Sequence, residues 1–356
     1  MKILRVVMMV LALLFTVAGC DSHRAVKPVS SETPRKTYED LVVGFAQIGA
    51  ESEWRTANTN SIRDEAERLG VELKFSDAQQ KQENQITAIK KFIVERVDVI
   101  GVSPVVETGW EEIFQEAKDA GIPIILVDRR ADVAEDLYVT YLGSDFLEEG
   151  RNAAREMVKL TGGKANIVEL TGTPGSAPAN DRFKGFREII RDYPDMKIID
   201  TQTGDFTRAR GKEVMEDFLQ KYVNNITAVY AHNDDMALGA IQAIEEFGLR
   251  PGVDIKIVSV DAAKVALQAI ISGKMNVTVE CNPLLGPQFF ELALQVVNGE
   301  TVPKRVPSKE DIFTIDNAAE FLPASKYEAL SRYHRKKINS YRKKLPSTLD
   351  GSFIMG

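Results

Sequence analysis

The sequence is poor in the residues that build disulfides and metal sites. Its 356 residues include two cysteines, Cys20 and Cys281, and three histidines, His23, His232 and His334. The histidines lie too far apart in the sequence for a shared ligand set to be argued. We expect Cys20 to be modified, as described below, so no disulfide framework can form and the core must stabilise itself. No metal and no cofactor are expected.

Motifs of catalysis are missing as well. The sequence contains no HExxH, no GxSxG, no glycine-rich phosphate loop and no paired CxxC, which argues against an enzyme. The formal net charge of −7 argues against nucleic acid as a partner, because duplex binding needs clustered Lys and Arg to neutralise phosphates. We therefore expect a protein that is not an enzyme and does not bind nucleic acid.

The first twenty residues have the pattern of an export signal. Lys2 and Arg5 precede an apolar run over 6–18, and this run is too short for a transmembrane helix, which needs about 20 residues. Val-Ala-Gly then precedes Cys20, an ending that resembles the lipobox of bacterial lipoproteins, in which the cysteine is acylated. We predict a signal peptide over 1–19, a lipid on Cys20 and attachment to the periplasmic or extracellular face of a membrane. An uncleaved anchor and an incidental cysteine are the alternatives.

Two stretches without a strand pattern flank the periodic part of the chain. Residues 20–40 are polar and include Pro28 and Pro34, so we expect a flexible tether there. Residues 326–344 are basic with a helical pattern, and 346–356 have no pattern. We interpret this basic C-terminal extension over 326–356 as a solvated terminal helix. Attraction to anionic lipid or to a partner is the alternative.

Short apolar runs alternate with amphipathic stretches from residue 41 onward. Such alternation predicts parallel βαβ units, and two smaller sheets in two lobes fit the length better than one sheet of eight or more strands. Helices of the second half are predicted to begin near Asp181, Thr207, Asp234 and Ala262. The predicted strands cover 41–46, 71–76, 97–103, 122–128, 166–172, 196–204, 226–234 and 254–261.

Polar side chains follow several of the predicted strands. Ser103, Asp128 and Arg129, Asn233 and Asp261 all stand at strand ends, where open α/β sheets bind ligands. Carboxylates and planar guanidinium groups each form two hydrogen bonds with vicinal hydroxyls, and aromatic faces cover the apolar side of a sugar ring. The set therefore suits a neutral polyol or sugar. For each single residue, capping of the next helix is the alternative.

Four segments carry a resemblance to a known family. These segments, DAQQKQENQ at 77–85, SPVVETGW at 103–110, GDFTRARGKEVME at 204–216 and YAHNDDMALGAIQAI at 230–244, resemble the type I periplasmic sugar-binding proteins. Within that family they are most similar to the galactofuranose-binding components of ABC importers. The resemblance covers about 41–326, and its segments fall in the order of the family.

The resemblance implies an α/β fold of two Rossmann-like lobes with parallel sheets, joined by three crossover strands. The crossovers would fall near Gly143, Glu280 and Pro307, which gives a first lobe of 41–143 plus 282–307 and a second of 144–281 plus 308–325. The implied function is that of a monomeric binding protein that captures a monosaccharide and delivers it to an ABC permease. A sensory module that signals to a membrane kinase or chemoreceptor is the alternative.

A third interpretation, the ligand-binding core of a LacI-like repressor, is disfavoured. The export signal and the lack of a helix-turn-helix segment before Leu41 argue against it.

The resemblance also implies a set of sugar contacts, supplied by both lobes. Ser103 and Ser52 are plausible additional contacts, and Glu280 marks the crossover position where relatives hold Gln or Glu. The chain departs from the family at Glu53 and Ala262, where Gly is usual, so the identity of the sugar is open, although acidic side chains in the cleft disfavour a uronate. The remaining implied contacts are Trp54, Arg55, Asp128, Arg129, Arg182, Phe206, Asn233 and Asp261.

Overall fold

The computed structural model describes residues 34–322. The predicted signal peptide, Cys20, most of the predicted tether and the basic C-terminal extension lie outside the described residues. Within 34–322, no helix is long and apolar enough to cross a membrane.

Ten helices and twelve strands make up the described part of the chain, together with short 3-10 turns. The first elements are β1 (Val42–Gln47), α1 (Glu53–Leu69), β2 (Glu72–Asp77), α2 (Gln82–Val94), β3 (Val99–Val102), α3 (Glu111–Asp119), β4 (Ile124–Val127) and β5 (Thr140–Gly143). They are followed by α4 (Phe146–Thr161), β6 (Ala165–Thr171), α5 (Ala177–Ile190), β7 (Met196–Thr203), α6 (Arg208–Tyr222), β8 (Ala228–Ala231), α7 (Asp234–Glu246), β9 (Lys256–Asp261), α8 (Lys264–Ile271) and β10 (Val277–Glu280). The last elements are α9 (Gly286–Val297), β11 (Arg305–Pro307), β12 (Ile312–Phe313) and α10 (Ala318–Phe321).

The strands form two six-stranded sheets. The first has the order β11-β5-β4-β3-β1-β2 and the second the order β12-β10-β9-β8-β6-β7. Every pairing is parallel except that of β12 with β10. The chain passes between the sheets after β5, after β10 and after β11. The structure therefore has two α/β lobes connected by three crossings, and the predicted fold class is confirmed.

All eight predicted strands are present, with bounds that differ by a few residues at most. The four strands without a predicted apolar run, β5, β10, β11 and β12, have two to four residues each. Three of them flank the crossings between the lobes, and β12 lies directly after the third. Helix α5 begins at Ala177, about a turn before the predicted start, because Pro178 fits the first turn of a helix.

Helices α4 and α5 pack unusually close to each other. A Cβ atom on Gly185 would lie 2.1 Å from the carbonyl oxygen of Leu147, and one on Gly150 would lie 2.5 Å from that of Arg182. Only glycine fits at either position, since real Cβ atoms do not approach backbone so closely. The close approach brings Arg182 of α5 against Glu149 of α4, and this pair forms one wall of the site.

Candidate functional site

A cleft of about 290 Å³ lies between the carboxyl ends of the two sheets. Such an edge is where parallel α/β sheets bind ligands, because loops and helix N-termini converge there. Both lobes contribute side chains to it. The lining residues are Glu51, Ser52, Trp54, Arg55, Asp128, Arg129, Phe146, Pro178, Arg182, Phe206, Asn233, Asp261 and Cys281.

Arg55 organises the wall supplied by the first lobe. Its guanidinium donates to Asp128 Oδ2 at 2.6 Å, to Glu51 Oε1 at 3.1 Å and to Ser103 Oγ at 3.3 Å. Burial would lower the pKa of Arg55, but the carboxylates of Asp128 and Glu51 outweigh it and the pKa is raised. Arg55 is thus a permanently charged group that fixes the orientation of two carboxylates.

Arg129, the second arginine of this wall, forms fewer hydrogen bonds than Arg55. Its Nη1 donates to the carbonyl oxygen of Val105 at 3.1 Å, whereas Nε is buried without a hydrogen-bond partner among the described residues. Oε2 of Glu51 is also buried without a hydrogen-bond partner among the described residues. Burial and the positive charge of Arg55 lower the pKa of Arg129 to about 10, so it stays charged at neutral pH. A free donor and a free acceptor at one cleft suit a ligand that carries hydroxyl groups.

Arg182 has the corresponding position in the second lobe. Nε donates to Glu149 Oε2 at 2.7 Å, Nη1 donates to the carbonyl oxygen of His232 at 2.5 Å, and Nη2 lies 3.7 Å from Asp261 Oδ1. Burial would lower the pKa of Arg182, but the charge of Glu149 outweighs it and the pKa is well above its usual range. The pKa of Asp261 is itself raised by burial, against the attraction of Arg182.

Aromatic rings close the cleft on the same side. The Phe206 ring occupies space that a Cβ atom on Gly172 would fill, since that atom would lie 1.8 Å from the ring. Asn233 holds Phe206 by donating from Nδ2 to its carbonyl oxygen at 3.0 Å. The Arg129 guanidinium of the first lobe stands 5.2 Å from the centre of the Phe206 ring, a cation–π distance across the cleft.

Several cleft residues have a left-handed backbone. Asp128 has φ +66°, Phe206 φ +61° and Asp261 φ +124°, and Ala262 beside it has φ +59°. Such values are uncommon in residues other than glycine and cost roughly 1–3 kcal/mol each. Their concentration around one cleft is typical of a ligand site that the rest of the fold holds in place.

Contacts outside the cleft also join the lobes. Arg130 of the first lobe forms an ion pair with Asp181 of α5, and Asn180 Nδ2 donates to Glu107 Oε2 at 2.5 Å. The backbone N–H of Glu107 donates to the carbonyl oxygen of Gly175 at 2.9 Å. We call these five residues the cross-lobe clasp. None of them lines the cleft, so the clasp holds the lobes together independently of any ligand contact.

Comparison with known proteins identifies the family. A model of the periplasmic binding protein domain matches residues 43–301. The chain belongs to the periplasmic binding protein family. This result confirms the predicted family and the expectation that the protein is a binding protein rather than an enzyme.

The chain aligns with individual relatives over most of their length. The chain is 47% identical over 291 residues to the galactofuranose-binding protein YtfQ of Escherichia coli, covering 80% of this chain and 92% of that protein. A crystal structure from Mycobacterium smegmatis in complex with β-D-fucofuranose is 50% identical with a TM-score of 0.78, covering 85% and 98%. The arabinose transporter component from Shewanella sp. ANA-3, bound to α- and β-L-arabinofuranose, is 44% identical with a TM-score of 0.77, covering 85% and 98%.

The structure brings together eight of the ten predicted site residues, Trp54, Arg55, Asp128, Arg129, Arg182, Phe206, Asn233 and Asp261, as well as Ser52. Ser103 lies behind the wall, where its hydroxyl accepts from Arg55. Asn233 also caps α7, since Oδ1 accepts from the N–H of Met236 at 3.0 Å, so the capping alternative holds for this residue too.

Glu280 is a correction to the predicted site. It does not line the cleft, and its carboxylate accepts from the backbone N–H of Asp311 at 3.1 Å. The physical reason is the alternation of side chains along a strand: Glu280 is the last residue of β10, and the next residue, Cys281, faces the opposite side. Cys281, and not Glu280, therefore lines the cleft at this crossing.

Four lining residues were not predicted from the sequence: Glu51, Phe146, Pro178 and Cys281. Glu51 directly precedes the predicted contact Ser52, which was its only available signal. Phe146 and Pro178 stand in the first turns of α4 and α5, and their exposure to the cleft depends on how those helices approach the hinge.

Proposed function

We propose that the protein is an extracytoplasmic binding protein that captures one neutral monosaccharide, in a furanose ring form, and delivers it to the permease of an ABC importer. The observation that carries this proposal is the composition of the cleft. Three guanidinium groups (Arg55, Arg129 and Arg182) stand among three carboxyl groups (Glu51, Asp128 and Asp261), with aromatic rings beside them. Such a set binds hydroxyls as donors and as acceptors without a large excess of charge.

The size of the cleft supports a small ligand. The empty space between its walls is about 290 Å³, including the part that is open to solvent. A single sugar ring suits this volume better than an oligosaccharide. The furanose form is favoured because the relatives named above are described with galactofuranose, fucofuranose or arabinofuranose.

The remaining parts of the proposal rest on the sequence. Cys20 carries a lipid that holds the protein at the membrane after removal of 1–19. The tether predicted over 20–40 leads from it to the first lobe, and it ends where Lys36 contacts Asp98 and Asn298 of that lobe. The first lobe consists of 41–143 plus 282–307 and the second of 144–281 plus 308–325. A protein of this kind acts as a monomer, since one chain supplies both walls of the cleft.

Ligand binding tests the central proposal. The full chain is titrated with galactofuranose, arabinose, galactose and ribose while melting temperature and calorimetric heat are followed. We expect a sugar that forms a furanose ring to raise the melting temperature, since a ligand at a hundredfold excess over its Kd stabilises the native state by about 2.7 kcal/mol. If no sugar of the panel changes either quantity, the sugar-binding function is wrong.

Uptake separates transport from sensing. Cells that lack the gene are given the labelled sugar identified above, and cells with the gene restored serve as the control. We expect uptake to be lost in the first and restored in the second. Normal uptake, combined with loss of a sugar-dependent transcriptional response, would support the sensory alternative instead.

A further inference from the structure

Three possible metal ligands meet where the chain crosses between the lobes. Glu149 comes from α4, Cys281 follows β10 and Glu310 follows β11. One ligand atom from each of the three lies within 4.8 Å of the other two. We call Glu149, Cys281 and Glu310 the hinge cluster. No sequence pattern indicated it, because its members are far apart in the chain and come together only through the crossings.

Ser144 links the hinge cluster to the remaining crossing. It follows β5, and its hydroxyl forms hydrogen bonds with Glu310 and with the sulfur of Cys281, the latter at 3.4 Å. All three crossings thus contribute a side chain to one small volume. Hydrogen bonds of this kind orient the ligands of protein metal sites.

One carboxylate oxygen of the hinge cluster is buried without a hydrogen-bond partner among the described residues. Glu149 is 1% exposed, its Oε2 accepts from Arg182, and its Oε1 has no hydrogen-bond partner among the described residues. A carboxylate oxygen of Glu149 lies within 4.8 Å of a ligand atom of Cys281 and of Glu310. A buried carboxylate oxygen without a partner is costly, and a cation between the three side chains would satisfy it.

Charge balance decides how the hinge cluster can hold a cation. Metal ligands bind in their deprotonated forms, so an ion must displace any protons on the Glu310 carboxyl and the Cys281 thiol. The nearest positive group is Arg182, which is shared with Asp261 at 3.7 Å. A divalent ion that displaced the protons of Glu310 and Cys281 would leave three negative ligands balanced by the ion and Arg182.

We propose that the hinge cluster binds one divalent cation of the zinc class through Glu149, Cys281 and Glu310. A thiolate together with carboxylates selects zinc or cadmium over magnesium and calcium. Tetrahedral zinc places neighbouring ligand atoms about 3.6 Å apart, so small side-chain adjustments complete the site. Cys281 also lines the cleft, and the open cleft is the route by which the ion enters.

Cadmium reports this site directly, because a thiolate bound to cadmium gives an ultraviolet charge-transfer band. The full chain is titrated with Cd²⁺ and, by calorimetry, with Zn²⁺. We expect one equivalent of either ion to bind and the band to appear. Cys281→Ser removes the band and weakens Zn²⁺ binding at least tenfold. Cys20→Ser is the matched control and keeps both, since Cys20 is the other cysteine of the chain.

Glu310→Gln keeps the thiol and the size of the side chain, so it tests the cluster even if Cys281→Ser fails to fold. We expect it to weaken Zn²⁺ binding at least tenfold. Three results would each overturn the proposal: no binding by the wild-type chain, a band that disappears in Cys20→Ser, or equal Zn²⁺ affinity in wild type and Glu310→Gln. Weak binding that persists unchanged in every variant would also overturn the proposal, because the ion would then bind outside the hinge cluster.

Discussion

The indole nitrogen of Trp54 donates a hydrogen bond of 2.7 Å to the carbonyl oxygen of Cys281. Trp54 belongs to the first turn of α1 in the first lobe, and Cys281 begins the segment that leaves β10 for the other sheet. Both residues line the cleft. A ligand that touches Trp54 therefore touches a side chain that is already attached to the hinge, which couples binding to the relative position of the lobes.

Trp54→Phe should weaken both the fold and ligand binding. The ring remains, but the carbonyl oxygen of Cys281 loses its donor, and a buried unsatisfied polar group costs about 1–3 kcal/mol. Urea denaturation without ligand measures this loss, and calorimetry measures sugar affinity. Trp110→Phe is the matched control, because Trp110 Nε1 donates at 2.7 Å to Val106 away from the cleft. Equal sugar affinities in the two variants would contradict the coupling.

Arg129→Ala should weaken sugar binding at least tenfold while the fold survives. Removal of one partner from a buried, hydrogen-bonded charged contact typically costs 2–5 kcal/mol, about tenfold per 1.4 kcal/mol. Calorimetry gives the affinity, and circular dichroism shows whether the fold is intact. Arg191→Ala, at a side chain 76% exposed, is the control. Unchanged affinity in Arg129→Ala would remove this arginine from the site.

The cross-lobe clasp should favour the closed arrangement. Ion pairs that are partly exposed, as Arg130 with Asp181 is, contribute about 0.2–1 kcal/mol, so Arg130→Ala should weaken sugar affinity up to about fivefold without altering a cleft residue. Small-angle scattering without ligand should show a larger radius of gyration. Arg155→Ala breaks a pair within the second lobe, with Glu148 at 2.6 Å, and should change neither quantity. No difference between the two variants would show that the clasp has no effect on closure.

Glu169→Gln should destabilise the protein at neutral pH and much less in acid. Burial alone would raise the pKa of Glu169, but hydrogen bonds from His232 and Arg187 lower it from 4.5 to about 2. A carboxyl group with a lowered native pKa stabilises the fold above its unfolded pKa and loses that contribution as the pH falls through the native value. The shift corresponds to about 3 kcal/mol.

Denaturation of wild type and Glu169→Gln between pH 7 and pH 2 measures this effect. The difference in unfolding free energy should be greatest at pH 7 and should shrink below about pH 4.5. Glu188→Gln breaks a more exposed pair with Arg151 and should have a small effect at every pH. A gap for Glu169→Gln that is constant with pH would show that the carboxylate charge is not what stabilises this part of the second lobe.

Cys20→Ser should abolish lipid attachment. Metabolic labelling with a fatty acid is expected to mark the wild-type chain and leave the variant unlabelled as a precursor of higher mass, since the thiol is the acylated group. Cys281→Ser, which keeps the predicted lipobox, should be labelled like wild type. Normal labelling of the Cys20→Ser chain would show that the protein is not a lipoprotein anchored through this residue.

Local pattern was sufficient for much of the fold and of the site. Short apolar runs predicted eight strands, because the central strands of a parallel sheet are buried on both faces and are therefore apolar throughout. Asp128 and Arg129 were predicted because they follow such a run, and parallel strands end at a common edge. Strands β5, β10, β11 and β12 were too short for a periodicity, and only the resemblance to a family indicated where the crossings lie.

Local sequence patterns did not predict the contacts between segments that are distant in the chain. The lining position belongs to Cys281 and not to Glu280, because successive side chains at the end of β10 face opposite sides. Phe146 at the start of α4 lines the cleft, where the Arg182 guanidinium of α5 lies 5.3 Å from the centre of its ring. The clasp between Glu107 and Asn180 joins loops of different lobes, and no local periodicity describes such a pair.

The sequence by itself determined the alternation of strands and helices, the family and the types of side chain at the strand ends, because these depend on neighbours within a few residues. Only the tertiary structure decided which of these side chains share a cleft and which support it from behind. It also decided that Glu149, Cys281 and Glu310 meet at the hinge. Such meetings depend on how helices pack and how the chain crosses between two sheets, and these are properties of the whole fold.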